Sequence, residues 1–201
     1  MPQQPPHILV FLTDDHGQWA SSAYGHSQPH TPVMRWLGET GACMENAFTP
    51  SPVCSPARAS FWTGRIPSAH GVHDYLKENP LMSPEDAHPG IGAMQTLGGM
   101  LRDGGYRTGL FGKWHAGRGG VPMPGFDTWY SSLWGTMAGF REQCFSEDGE
   151  RREWFGRQTP EVTRRAIEFF RESVRRDSEQ PVFMVVGYVD THTPHNGQPP
   201  W

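Results

Sequence analysis

Cys54 is followed at short fixed distances by Pro56 and Arg58, within Cys54-Ser55-Pro56-Ala57-Arg58-Ala59-Ser60-Phe61-Trp62-Thr63-Gly64-Arg65. Proline two residues after the thiol suits the first turn of a helix, where its missing N–H is no loss. The cysteine then stands at the positive end of that helix, with Arg58 one turn further along the same face. Such a setting favours an anion and suits a nucleophile. A lone cysteine is more often a small buried hydrophobe, so the chemistry needs support from the rest of the string.

Three further clusters carry groups able to do chemistry. The apolar run Ile8 to Leu12 ends in Thr13-Asp14-Asp15-His16, which reads as a buried parallel strand delivering carboxylates to its C-terminal end. Adjacent carboxylates repel unless a cation neutralises them, which suits a hard divalent metal; the plainer reading is a turn opened by Asp14 and Asp15. His16 reads as a neighbour, not a ligand. Tyr106 to Gly117 reads as a second strand running into a glycine-bounded loop. In extended backbone Lys113 and His115 project the same way, where an ammonium and an imidazole could hold an anion and move a proton. The alternative is a solvated strand end anchored by Trp114. A third strand, Pro181 to Tyr188, leads into Val189-Asp190-Thr191-His192-Thr193-Pro194-His195, whose two histidines lack the further ligand spacing a zinc site requires. His70 and His73 read as a loop beside the pocket.

The elements that must position these groups alternate between strand and helix. Thr31 as N-cap, Pro32 and Gly41 frame a short helix whose Val33, Trp36 and Leu37 make a core-facing stripe. Ala42 to Thr49 is expected as a strand or extended lead into the Cys54 turn. Thr96 to Arg102 predicts a helix with Leu97, Met100 and Leu101 on one side, weakened by Gly98-Gly99 and ended by Gly104-Gly105. Gly120 to Met137 and the charged Ser146 to Trp154 read as surface elaborations. Thr159 as N-cap and Pro160 at the first helical position start a long helix. Its stripe is Val162, Ala166, Phe169, Phe170 and Val174, and Arg164, Arg165, Arg171, Arg175 and Arg176 form a solvated outer face.

Composition bounds these readings. The 201 residues, 36% apolar, are enough for one core, and 24 glycines with 19 prolines suit a loop-rich α/β chain over a helical bundle. A net charge of -4 with dispersed charges offers no basic patch for nucleic acid. Cys43, Cys54 and Cys144 are too few and scattered for a disulfide framework or a cysteine-based zinc site. The N-terminus has no basic segment, and its apolar run is too short for a signal peptide or a membrane span, so the expected location is cytoplasmic, or periplasmic if the start lies elsewhere.

The Cys54 string resembles the sulfatase signature Cys-x-Pro-x-Arg followed by Thr-Gly-Arg, with Trp62 where leucine is usual. Asp14-Asp15 after the first strand, Gly112-Lys113-Trp114-His115-Ala116-Gly117 and His192-Thr193-Pro194 are similar to other motifs of that family, in the same order. The resemblance covers His7 to Trp201 and implies a mixed, mostly parallel sheet sandwiched by helices, as in the alkaline phosphatase superfamily. It implies that Cys54 is oxidised to formylglycine by a maturation enzyme. It further implies that Asp14, Asp15 and residue 54 bind Ca2+ or Mg2+. Arg58, His115 and His192 take catalytic roles, and Lys113 and His192 bind the sulfate, with His195 the competing assignment to His192. The implied activity is hydrolysis of sulfuric esters; a phosphonate or phosphate ester hydrolase of the same superfamily, or an inactive truncated remnant, are the alternatives. Members of the family are commonly about twice this length, so residues 1–201 are expected to be the N-terminal portion of a catalytic domain, with a later metal-binding motif missing and an apolar sheet edge left uncovered.

Overall fold

The computed structural model describes residues 4–77, 83, 88–134 and 142–192. Six strands form one sheet: β1 (Ile8–Leu12), β2 (Arg107–Lys113), β3 (Thr128–Ser132), β4 (Glu142–Glu147), β5 (Glu150–Phe155) and β6 (Val182–Gly187). Their order is β1-β6-β2-β3-β4-β5; β1, β6, β2 and β3 run parallel, and β4 and β5 join antiparallel. The helices are α1 (Pro32–Thr40), α2 (Cys54–Thr63), the single turn α3 (Pro67–His70), α4 (Leu97–Asp103) and α5 (Gln158–Arg176). No helix among the described residues is long and apolar enough to cross a membrane.

Strand parity distributes the core over both faces of the sheet. In β6, Val182, Met184 and Val186 pack with Val162, Ala166 and Phe169 of α5, while Phe183 and Val185 join the cluster containing Ala59 and Trp62 of α2. That opposite cluster also holds Leu110, Trp114 and Trp129, with Leu97 and Leu101 of α4 against it. The expected sheet between helices is therefore present, and all three strands read from the sequence lie next to one another. Gly112, at φ 90, pairs with Gly187 in β6, and a Cβ on Gly112 would collide with the Gly187 carbonyl oxygen. Glycine at 112 thus lets the two strand ends close up beside Lys113. The glycine pair in α4 has a packing reason too, because a Cβ on Gly98 would meet Phe126 at 2.7 Å.

Several local expectations are corrected. The stripe on α1 does not face the core: Val33, Trp36 and Leu37 are 66%, 59% and 50% exposed. Amphipathicity announces a face that wants cover, but here α1 rests on the 3-10 turn Ser22–Tyr24, with the Ser22 N–H donating to Thr31 Oγ1 at 2.8 Å. Thr31 is thus occupied elsewhere and makes no side-chain cap. Residues 42–49 form turns and coil with exposed side chains, not a strand. The surface elaborations contain β3, the end of β4 and most of β5, and β4 and β5 form a hairpin turned by Asp148 and Gly149, both at positive φ as a two-residue hairpin wants. Helix α5 starts at Gln158 with Arg157 as its N-cap, because the Thr159 hydroxyl donates to the Asp190 carboxylate and is not used as a cap. Pro160 is still harmless there, since first-turn N–H groups have no intrahelical partner. Arg164 and Arg165 do more than meet solvent: both hold the buried Glu161, at 2.7 and 2.9 Å, and Arg165 also reaches Glu147 at 2.7 Å. Arg171, Arg175 and Arg176 are exposed as expected. Strand β1 forms one edge of the sheet, with Leu9 and Phe11 turned outward.

Candidate active site

The parallel strands deliver their C-terminal ends to one edge of the sheet, the usual ligand edge of an open α/β sheet. Asp14 and Asp15 follow β1, Lys113 ends β2 with His115 just beyond, and the Asp190-Thr191-His192 turn follows β6. Helix α2 brings Cys54 as its first residue, with Val53 as an extended N-cap and a left-handed Gly64 closing the helix. Pro56 falls at the third helical position, in the tolerant first turn.

Two turns are laced together by backbone hydrogen bonds. The Asp14 N–H donates to the Asp190 carbonyl at 3.3 Å, the Thr191 N–H to the Asp14 carbonyl at 3.1 Å, and the Thr191 hydroxyl to the Asp15 carbonyl at 3.3 Å. The Thr159 bond to Asp190 ties the same turn to the start of α5. The result is that ligand atoms of Asp14, Cys54 and His192 all lie within 4.8 Å of one another. They line a cleft of about 620 Å³ together with Asp15, His16, Thr49 and Arg58, a volume ordinary for a small-molecule site.

Two buried cations stand behind the carboxylate. The Lys113 ammonium, 1% exposed, donates to Asp14 Oδ2, and Arg58 Nη2 lies 4.0 Å from the same oxygen. Arg58 also donates through Nη1 to the Lys113 carbonyl at 2.8 Å, so the guanidinium fixes Lys113 at its backbone as well. Asp14 Oδ1 accepts no hydrogen bond from the described residues. Asp14 with the exposed Asp15 in the same cleft offers hard oxygen donors, a set suited to Ca2+ or Mg2+.

His115 is held differently from the sequence expectation. The strand ends at Lys113, and His115 has φ 49, so strand alternation does not carry over to it. Its Nε2 lies 2.8 Å from the Leu76 carbonyl, which can only accept, so the proton sits on Nε2 and Nδ1 carries a lone pair. Nδ1 is buried without a hydrogen-bond partner among the described residues. Burial, and then the Lys113 ammonium, push the His115 pKa down to about 3. The Tyr75 ring packs edge-on against the imidazole at 4.7 Å. The Leu76 N–H donates in turn to Ser55 Oγ at 3.0 Å, linking the residue after Cys54 to His115 through the backbone of one residue. Ser55, Tyr75, Leu76, Asp190 and Thr191 escaped the sequence reading. Replacing Ser55 by Ala should leave the Leu76 N–H buried and unpaired, lowering stability by about 1–3 kcal/mol in urea unfolding; an unchanged midpoint would break this link.

Other histidines have other work. His70 Nδ1 accepts from the Val72 N–H at 3.1 Å, which leaves Nε2 to donate to Ser60 Oγ at 3.0 Å, and burial lowers its pKa. It lies in α3 and is a structural group bonded to α2, not a loop residue beside the cleft as the sequence suggested. His16 does line the cleft, with Nε2 3.0 Å from the Ala20 carbonyl. His195 lies outside the described residues.

Comparison with known proteins places this arrangement in context. The sequence profile described as Sulfatase matches residues 6–201. The chain is 34% identical over 134 residues to human N-acetylgalactosamine-6-sulfatase, covering 64% of this chain and 26% of that protein. It is 31% identical over 183 residues to the N-acetylglucosamine-6-O-sulfatase of Bacteroides thetaiotaomicron, covering 90% of this chain and 29% of that protein. The chain thus spans between a quarter and a third of the length of these relatives. Among solved structures, it resembles BT4656 in complex with its substrate D-glucosamine-2-N,6-O-disulfate, at TM-score 0.73 and 27% identity over 94% of this chain and 35% of that one. The fold also matches Ps i-CgsB in complex with k-i-k-neocarrahexaose, at TM-score 0.79 and 23% identity over 98% of this chain and 47% of that one.

Proposed function

The chain belongs to the sulfatase family, and from that premise we propose that it hydrolyses sulfate esters with a formylglycine made from Cys54. One observation carries the reading: Asp14, Cys54 and His192 meet within 4.8 Å at the strand ends, with Arg58 and Lys113 fixed behind Asp14. Formylglycine, once formed by a maturation enzyme, supplies a hydrated aldehyde with one hydroxyl to attack sulfur and a second whose deprotonation releases sulfate. Asp14, Asp15 and the oxygen at position 54 would hold Ca2+ or Mg2+, whose charge polarises the sulfuryl oxygens.

The chain's own groups supply the rest. Lys113 and Arg58 keep positive charge behind the cleft, where negative charge develops on the sulfuryl oxygens. His192 stands at the cleft wall beside Cys54, positioned to contact the sulfate and to protonate the departing alcohol. His115, neutral and with an Nδ1 lone pair that has no hydrogen-bond partner among the described residues, would hold the proton given up by the second hydroxyl. His195 stays the competing assignment to His192 for the sulfate contact. The names of the relatives support a 6-O-sulfated amino sugar as the first substrate to assay, beside an aryl sulfate.

The test is co-expression of the full chain with a formylglycine-generating enzyme, followed by peptide mass spectrometry and turnover assays. The Cys54 peptide should show exchange of thiol for aldehyde, and Cys54→Ala should lower turnover by on the order of 10⁴-fold or more. A thiol that stays unconverted would remove the proposed nucleophile, and faster cleavage of an aryl phosphate diester than of both sulfates would reassign the ester class.

A further inference from the structure

We propose that, while position 54 still carries its thiol, Cys54, Asp14 and His192 bind a zinc ion. The inference rests on the geometry of the cleft and not on the hydrolytic reading. The three ligand atoms, one sulfur, one carboxylate oxygen and one imidazole nitrogen, lie within 4.8 Å of one another. Zinc bonds of about 2.0–2.3 Å place tetrahedral ligands about 3.3–3.7 Å apart, so contraction by roughly an ångström closes the set. Three protein ligands with an open fourth position form a zinc arrangement, and the mixture of thiolate, imidazole and carboxylate selects zinc over hard cations.

The ligands come from three separate elements, and the backbones of two of them are already tied together. Asp14 and His192 sit on the two turns joined by the Asp14–Asp190 and Thr191–Asp14 backbone bonds, and Cys54 opens α2. Lys113 and Arg58 both address Asp14 Oδ2, whereas Oδ1 accepts no hydrogen bond from the described residues. The thiol is free and half-buried, open to the cleft. Binding converts the Cys54 thiol to a zinc thiolate and releases its proton to water, with no change in oxidation state. The thiolate and the Asp14 carboxylate together balance the charge of the ion.

The same cleft thereby holds two metal preferences in succession. With sulfur at position 54 it favours zinc; with the formylglycine oxygen there, the donors that remain suit Ca2+ or Mg2+. Conversion of Cys54 dismantles the zinc set by removing its strongest ligand.

The experiment uses the full chain, reduced and expressed without a maturation enzyme, with Cys43→Ser removing the exposed second thiol. Co2+ is titrated as a spectroscopic substitute and then displaced by Zn2+. A cobalt–thiolate charge-transfer band should grow with Co2+, bleach with Zn2+ and persist in excess Ca2+ or Mg2+. Cys54→Ser should abolish the band, and His192→Ala and Asp14→Asn should each weaken zinc binding about tenfold or more. Circular dichroism verifies that each variant is folded, and Cys54→Ala serves as a second deletion of the thiol. The proposal is overturned by absence of the band, by a band that survives loss of Cys54, or by full affinity in both His192→Ala and Asp14→Asn. Displacement of zinc by Ca2+ at equal concentration would overturn it as well. Because the assay reads the thiol form alone, failure of Cys54 to mature would leave this result standing and count only against the hydrolytic reading.

Discussion

Replacing Lys113 by Met is expected to destabilise the chain by about 3–5 kcal/mol, the range for removing one partner of a buried ion pair. Lys113 is buried against Asp14, itself 7% exposed, and the sulfur-containing side chain fills the stem's volume without replacing its charge. Asp14 is then left with Arg58 at 4.0 Å, too distant for a hydrogen bond. The loss comes from the stranded carboxylate, so Asp14→Asn combined with Lys113→Met should recover much of it. Urea unfolding of wild type, both single variants and the double variant makes a thermodynamic cycle that reads the coupling directly. A single Lys113→Met variant within about 0.5 kcal/mol of wild type, the usual size of a surface effect, would mean that the pair carries no such burden. On the proposed sulfatase reading, the same substitution in the matured chain should reduce turnover on the order of 10²–10³-fold, the scale for losing one preorganised charge contact in the transition state.

Acid should expose the second large effect, at His115. Its pKa lies near 6.5 in the unfolded chain and is pushed down to about 3 in the fold, chiefly by burial and then by the Lys113 ammonium. Between those two values the unfolded chain binds the proton and the folded chain refuses it, so this contribution is complete above pH 6.5 and disappears as pH falls towards 3. The full shift corresponds to about 4–5 kcal/mol. Asn is the variant to use, because residue 115 has φ 49, a backbone region Asn tolerates. Denaturation midpoints of wild type and His115→Asn should converge as pH falls from 6.5 to 3; parallel curves would show that His115 carries no such linkage. The low value also means that Nδ1 remains a proton acceptor throughout the mildly acidic range, so the acid limb of turnover should not follow His115.

What the sequence could reveal depended on whether the cause of each feature was local. Pro56 and Gly64 bracket α2 from within the helix, and the apolar runs of β1 and β6 declare buried strands by themselves. The motifs at their ends were readable because parallel strands bring their C-termini together, which is a rule of topology and not of neighbours. The α1 stripe misled because periodicity gives a face without its partner. Strand β3 was hidden because Ser131 and Ser132 are buried by pairing with β2, so their polarity broke the expected pattern. The hairpin did leave a signal in Asp148-Gly149, obscured by the exposed charges of β5. Thr159-Pro160-Glu161 looked like a helix start, but the threonine hydroxyl belongs to Asp190, 31 residues away. The Ser55–Leu76–His115 link could not be read at all, since it runs through a backbone peptide whose position only the fold decides.

The strand order has a consequence for how the molecule is made. Among the described strands β1 pairs with β6 alone, across a separation typified by the 175 residues between His7 and Val182, which are joined by a hydrogen bond at 3.0 Å. Closing so long a loop early is entropically unfavourable, and folds dominated by such distant pairings assemble slowly. During synthesis Asp14 emerges long before its neighbouring strand, and the turn after β1 has no partner until β6 has been translated. Until then β1 is an unpaired apolar segment, a natural client for a chaperone. The carboxylate that anchors the cleft thus leaves the ribosome well before β6, the strand whose following turn holds it in place.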